Sequence, residues 1–449
     1  MRKIYPIPVI ILLALAVGCS PLATPAIEEN LPAPTVRTSP VPEETAPIDF
    51  DDPAIKGSKI ILWHGLDGEM AKSLVAMVGE WELANDKGIK VEVRGFGNYY
   101  ALGKALEELD SETEPPSLVL LLPWQAQHLG DKLADLTPFS GDPSQGIAPE
   151  VIPASLLQAG TVERMLPYAI TMRVLVYNRS MANRLGFPSA PSTMEEFSKQ
   201  LCAANDAWKL DDDLTNDGFG GWALDTGPNW QTPLSFILSN GSMTAVESED
   251  GFASKEILNL FTQFENLRTS GCTWLPEEGS NMQQFAEGKA LIYTSDLSAI
   301  QALPAAMAAA GNLDEWQILP YPGSTQSIAP VGLVLGISQE KPQAQKAAWL
   351  LMRWLIQPEQ QQRWQEETGM LPVNTTTLSS LANNGTASPE VRQASKFALD
   401  GKVGRLVLLV GTDLELLSEG YYYFNRSYPY YPTEEMLDDL ESQRKTFPK

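Results

Sequence analysis

The stretch "KIILWHGLDGEMAKSLVAMVGEWELANDKGIKVEVRGF", Lys59 to Phe96, decides the fold class. It opens on an apolar run, Lys59 to Trp63, closed by Gly65, which reads as a buried strand. Met70, Leu74, Val78 and Trp81 then recur at helical spacing, and the pattern stops near Gly88. "IKVEVRGF" alternates with period two and reads as a second strand. Outward from this unit, Ala101 to Leu109 is helical. "SLVLLL", Ser117 to Leu122, is a third, unbroken apolar strand that ends at Pro123-Trp124. Strand, helix, strand, helix, strand predicts an α/β fold on an open, mostly parallel sheet. In such sheets ligands sit beyond the carboxyl ends of the strands. His64, Asp67, Gly97, Asn98, Tyr99 and Trp124 lie just past those ends and are expected to share one rim.

A second unit begins near Leu166. Met172 to Tyr177 reads as a strand. Ser192, with Glu195 three positions on, reads as a capping box for the following helix. Ser254 to Ser270 is a long amphipathic helix, Gly332 to Ile337 a late strand, and 342–357 a helix carrying Trp349, Leu350, Met352 and Leu355.

The chain of 449 residues has 32 basic and 56 acidic residues, a net charge of −24. That acidity argues against nucleic acid and anionic membrane surfaces as partners. There are two histidines, and no HExxH, paired CxxC or GxSxG occurs, so metal and serine hydrolysis lack their parts. "RGFGNYY" lacks the third glycine of a dinucleotide fingerprint. Asp213, Thr215, Asp217 and Gly218 echo a calcium loop, but Leu224 stands where its bidentate Glu belongs, so a solvated turn is expected. No metal or cofactor is expected.

The N-terminus combines Arg2 and Lys3 with an apolar run of roughly ten residues, about half of what spans a bilayer. Ala16-Val17-Gly18-Cys19 resembles the lipobox of bacterial lipoproteins, with Leu15 one place early for its usual aliphatic residue. The resemblance implies cleavage before Cys19 and lipidation of its thiol; an ordinary signal with an incidental cysteine is the alternative. From Ser20 to about Gly57 the chain is rich in Pro, Thr and acid, and reads as a disordered tether. Cys202 and Cys272 remain, an even pair in an oxidising compartment. One disulfide is expected, against two separately buried thiols.

Four stretches carry a family likeness. They are "MRVLVYNRSMANRLGFPSAPSTMEEF", "FAEGKALIYTSDLSAI", "APVGLVLGISQEKPQAQKAAWLLMRWLIQPEQQQRWQEETGMLPVN" and "SLVLLLPWQAQHLGDKLADLTPF". In order and spacing they resemble the family 1 extracellular solute-binding proteins of ABC transporters, which include the maltose-binding protein. The resemblance implies a two-lobed, hinged fold of periplasmic-binding-protein type II with the ligand in the cleft. One lobe would comprise 58–170 plus 327–372 and the other 171–326 plus 373–449. Crossings are expected near Ala169–Thr171, Pro322–Ser327 and Leu371–Asn374.

Carbohydrate recognition needs aromatic faces and planar polar groups. Trp124 follows a strand of the first lobe, while Trp222 and Trp230 flank "DTGPN" in the second. By resemblance, Asn229 and Trp230 occupy a stretch that carries sugar-stacking aromatics in the family, and Asp225 stands in for its carboxylate. Asp67 matches a polar site residue, Asp296 lies in a cleft-facing turn, and His64 follows the first strand. The tyrosine-rich "YYYFNRSYPYYP" is placed either at the cleft edge or against the second lobe. The reading is a monomeric, lipid-anchored, extracytoplasmic receptor that captures a sugar or oligosaccharide for an ABC permease, without catalysis. Its rivals are a non-sugar solute (polyamine, glycerol phosphate or peptide), a two-carboxylate glycoside hydrolase and a structural lipoprotein. An anionic ligand would call on Arg94 or Arg173, both of which read as strand residues.

Overall fold

Ten strands carry the architecture of the computed structural model, which describes residues 47–109, 114–157, 163–210, 212–339, 341–406, 409–427 and 429–446. They are β1 (Lys59–His64), β2 (Lys90–Gly95), β3 (Leu118–Leu121), β4 (Leu166–Asn178), β5 (Gly220–Ala223), β6 (Thr273–Trp274), β7 (Ala290–Asp296), β8 (Trp316–Leu319), β9 (Pro330–Ile337) and β10 (Leu371–Pro372). Their order is β2-β1-β3-β9-β4-β7-β5-β6, with β8 and β10 paired to β4. β1 pairs in parallel with β2 and β3, as the apolar runs predict. β9 then enters antiparallel, Leu118 opposite Ile337.

β4 is the pivot. From Leu166 to Met172 it pairs with β9; from Arg173 to Tyr177 it pairs with β7. Eleven of its positions are buried, which suits a strand covered on both faces. β10 pairs with it at Ala169 and Ile170. The chain between β8 and β9 is held by helix Gln231–Ser239, where the Ser239 hydroxyl donates to the Tyr321 and Ser327 carbonyls. After β10 the chain bonds back toward the first ladder. Asn374 Nδ2 donates to Ile356 O and Thr375 Oγ1 to Val151 O. Helix Pro389–Leu399 then reaches β8, with Gln393 accepting from Ile318 N.

The helices bury most of the expected stripes, with Met70 and Leu350 only half-buried. Helix Gly68–Ala84 buries Leu74, Met77, Val78 and Trp81, and Trp349 of helix Pro342–Leu355 donates from Nε1 to Gln145 O at 2.9 Å. The capping box lies one residue later than expected: Thr193 caps, and Glu196 reaches back to it. Cys202 and Cys272 are joined, with Cα atoms 4.6 Å apart. Part of the C-terminal tyrosine-rich stretch packs inward, with Tyr421 and Phe424 buried and Phe424 against Phe261, while Tyr423 and Tyr430 are exposed.

The tether is shorter than expected. Phe50 and Ile55 are buried, Pro53–Ile55 forms a short turn of helix, and Ile48 N donates to Asp142. Residues 47–57 therefore belong to the folded body, because two apolar side chains amid the acid and proline find a pocket there. The signal segment, Cys19 and the tether up to residue 46 lie outside the described residues. The Asp213 segment is an Asx turn in which Asp213 accepts from Thr215 N and Oγ1. No cluster of metal-ligating side chains occurs among the described residues.

Candidate functional site

β3 leads into Leu122, and Pro123 opens a short helix, Pro123–Leu129. Proline suits a first helical position because its missing N–H is not needed there. This turn leaves Trp124 half-buried rather than locked in the core. Across from it, Pro228 ends an exposed loop and Trp230 caps helix Gln231–Ser239, also half-buried. The two tryptophans line one cavity of about 480 Å³, within the ~300–1,000 Å³ typical of small-molecule sites. Leu234 and β9 residues Pro330 to Gly332 form more of its wall. The remainder comes from Leu406, Leu409 and one face of helix Gly411–Ser427: Gly411, Leu414, Glu415, Ser418 and Glu419.

Gly411 packs close to the Trp124 ring. A Cβ built there would come within 3.2 Å of ring atoms Cδ2 and Cε3, so the indole would have to give by a few tenths of an ångström. The sequence signalled neither this glycine nor the two glutamates, since a 17-residue helix shows its buried stripe but not which outer residues meet a neighbouring turn.

Beneath Trp230 lies a buried polar network. Asp225, 6% exposed, follows β5. It accepts from Asn229 Nδ2 at 2.8 Å, Thr294 Oγ1 at 2.7 Å and Asn281 Nδ2 at 3.0 Å, and from an Arg173 guanidinium N–H. Arg173 also pairs with Asp296 at 3.0 Å. Burial disfavours the Arg173 charge, but the Asp225 and Asp296 carboxylates outweigh it and raise its pKa above the usual arginine value. Asn229 also accepts from Thr232 N, which satisfies a free donor at the start of the helix beside Trp230. Asp225 and Asn229 thus set the position of the Trp230 turn instead of lining the cavity. Asp296 is half-exposed and turned to Arg173.

Three expected site residues lie elsewhere. Trp222 is 1% exposed in β5 and packs against Phe197, Phe236 and Phe264. It is a core residue, because a central strand turns alternate side chains into the layer beneath. His64 is buried at the end of β1, where Nδ1 accepts from Leu66 N at 3.2 Å. A Cβ on Gly95 would meet its ring at 2.8 Å. Burial pushes its pKa below the usual histidine value. Asp67 is exposed at the start of helix Gly68–Ala84 and does not line the cavity.

The model of the bacterial extracellular solute-binding proteins matches residues 76–394. The chain belongs to this family. Solved structures share its fold at low identity. The sugar-binding protein MalE from Xanthomonas citri superposes with a TM-score of 0.67 at 20% identity, covering 86% of this chain and 96% of its own. A family 1 extracellular solute-binding protein from Bifidobacterium longum subsp. infantis gives 0.66 at 14%, covering 87% and 100%. UgpB from Mycobacterium tuberculosis, solved with glycerophosphocholine, gives 0.60 at 13%, covering 86% and 98%. No curated protein matches the sequence. Like other extracellular solute-binding proteins, this one combines a large mixed sheet with many helices, and the cavity lies against the start of β9.

Proposed function

We propose that this solute-binding protein is the lipid-anchored substrate receptor of an ABC importer, capturing a sugar or oligosaccharide and delivering it to the permease. The observation that carries the reading is the shared cavity of Trp124 and Trp230. One ring comes from the β3 side of the sheet and the other from the β5 side. A pyranose offers apolar faces that two such rings can cover. The names of structural neighbours such as the MalE protein support the same ligand class. The lobes are proposed as 58–170 plus 327–372 and 171–326 plus 373–449, closing on ligand about the β4 pivot. The chain then acts by binding, as a monomer and without turnover.

A thermal-shift screen against a saccharide library tests this, since a ligand that binds the folded state raises Tm. A melt that no saccharide moves refutes the carbohydrate reading, and turnover of chromogenic glycosides refutes the non-catalytic one. Lipidation at Cys19 is part of the proposal. Mass spectrometry of the mature protein should find an N-terminal diacylated cysteine, and an intact leader or a free Cys19 thiol would overturn it.

A further inference from the structure

The charge of the cavity wall narrows the ligand. Beyond the two indoles, the wall is mostly aliphatic and proline. Among the described residues its only ionisable side chains are Glu415 and Glu419, four residues apart on helix Gly411–Ser427, with the Ser418 hydroxyl beside them. Residues four apart on a helix project from the same face. No lysine, arginine or histidine lines the cavity, and no cation pairs with either glutamate among the described residues. The helix start at Gly411 supplies an opposing positive end, but this amounts to about half a charge at most. Two full carboxylates outweigh it. Arg173, the buried cation below, is already held by two aspartates.

We infer that the cavity is selective for a positively charged, amine-bearing saccharide. This rests on the carbohydrate reading above and adds to it the sign of the ligand's charge. An indole face attracts a cation through its quadrupole, and the glutamates attract it by charge at the cavity mouth. A neutral sugar would gain from stacking alone. An anionic one would meet repulsion with no compensating donor of positive charge.

The test compares glucosamine oligomers, cationic at mildly acidic pH, with N-acetylglucosamine oligomers of equal length, by calorimetry on the folded chain. Each exposed carboxylate–ammonium pair contributes roughly two- to fivefold, so the cationic series should bind about tenfold tighter. That ratio should shrink at high salt, because exposed charges are screened. E415Q/E419Q should collapse the ratio toward one. Both side chains are exposed, so Tm should hold and confirm a folded variant. Equal or tighter binding of the acetylated series, or a preference that survives E415Q/E419Q, overturns the inference and leaves the carbohydrate reading standing. Spermidine is the third probe. If it binds through the glutamates while neither sugar series does, the cavity selects cations that are not saccharides, and the carbohydrate reading falls together with the inference as stated. If none of the three binds, both fall.

Discussion

Replacing Trp230 and Trp222 by alanine, one at a time, separates a ligand-facing indole from a core one. Trp230 is half-buried on the cavity wall, and its turn is held by the Asn229 and Asp225 hydrogen bonds, which do not involve its ring. Trp230→Ala should therefore keep the fold. The stacking it loses is worth about 2–3 kcal/mol, a loss of roughly 30- to 150-fold in affinity. Trp222 fills the space among Phe197, Phe236 and Phe264 at 1% exposure. Its removal leaves a cavity costing about 3–5 kcal/mol. The folded body, Pro47 onward, has roughly 400 residues. At about 2.1 cal/mol/K per residue its unfolding entropy is about 0.8 kcal/mol/K, so Trp222→Ala should lower Tm by about 4–6 °C. Calorimetric melting and titration with whichever saccharide the screen identifies give both numbers for each variant. The reasoning fails if Trp230→Ala melts as low as Trp222→Ala, or if it folds normally and binds as well as the parent.

Other outcomes follow from the same geometry. Asp225→Ala leaves the buried Arg173 only the half-exposed Asp296 and leaves the Asn229, Asn281 and Thr294 donors without their acceptor. It should cost about 3–5 kcal/mol in denaturant unfolding, whereas Arg173→Met with Asp225→Leu should cost less than Asp225→Ala alone. Reducing the Cys202–Cys272 bond frees a loop of 70 residues and should cost about 4 kcal/mol by the chain-entropy model; an unchanged melt under reductant would contradict it. His64 has a folded pKa below its unfolded value near 6.5, so the unfolded chain takes up the proton first. Stability should fall as pH drops below about 6.5 and stop falling, as far as this group is concerned, below the depressed folded pKa. The stability difference between parent and His64→Gln should change across that window, and a difference independent of pH would refute the burial argument.

The strands were legible where apolar runs are long. β1, β3 and β9 are bounded by glycine, proline or polar residues, and one period of alternation suffices for β2. β5 was not, because Gly220-Gly221-Trp222-Ala223 is only four residues and begins with two glycines that imitate a loop. That hid Trp222 in the core and made it look like a site residue. The capping box slipped by one because Ser192–Glu195 and Thr193–Glu196 satisfy the same spacing, and only the hydrogen bonds choose between them. Trp124 and Trp230 stood out as cavity-wall candidates because each lies one or two residues past a proline at the start of a helix. Glu415 and Glu419 did not, because much of the wall they share is formed by residues far away in sequence.

The antiparallel pairing of β3 with β9 sets an order of events during synthesis. Leu118 waits for Ile337, so the open flank of β3 stays bare until most of the chain has emerged. Loop closure over such a span is slow compared with local helix formation. A growing chain therefore holds an apolar strand edge, the kind that recruits other strands, through much of its elongation. That delay keeps the sheet from closing while the chain is still being made. The cost is exposure to aggregation on the way, which puts a premium on whatever holds the nascent chain apart before β9 arrives.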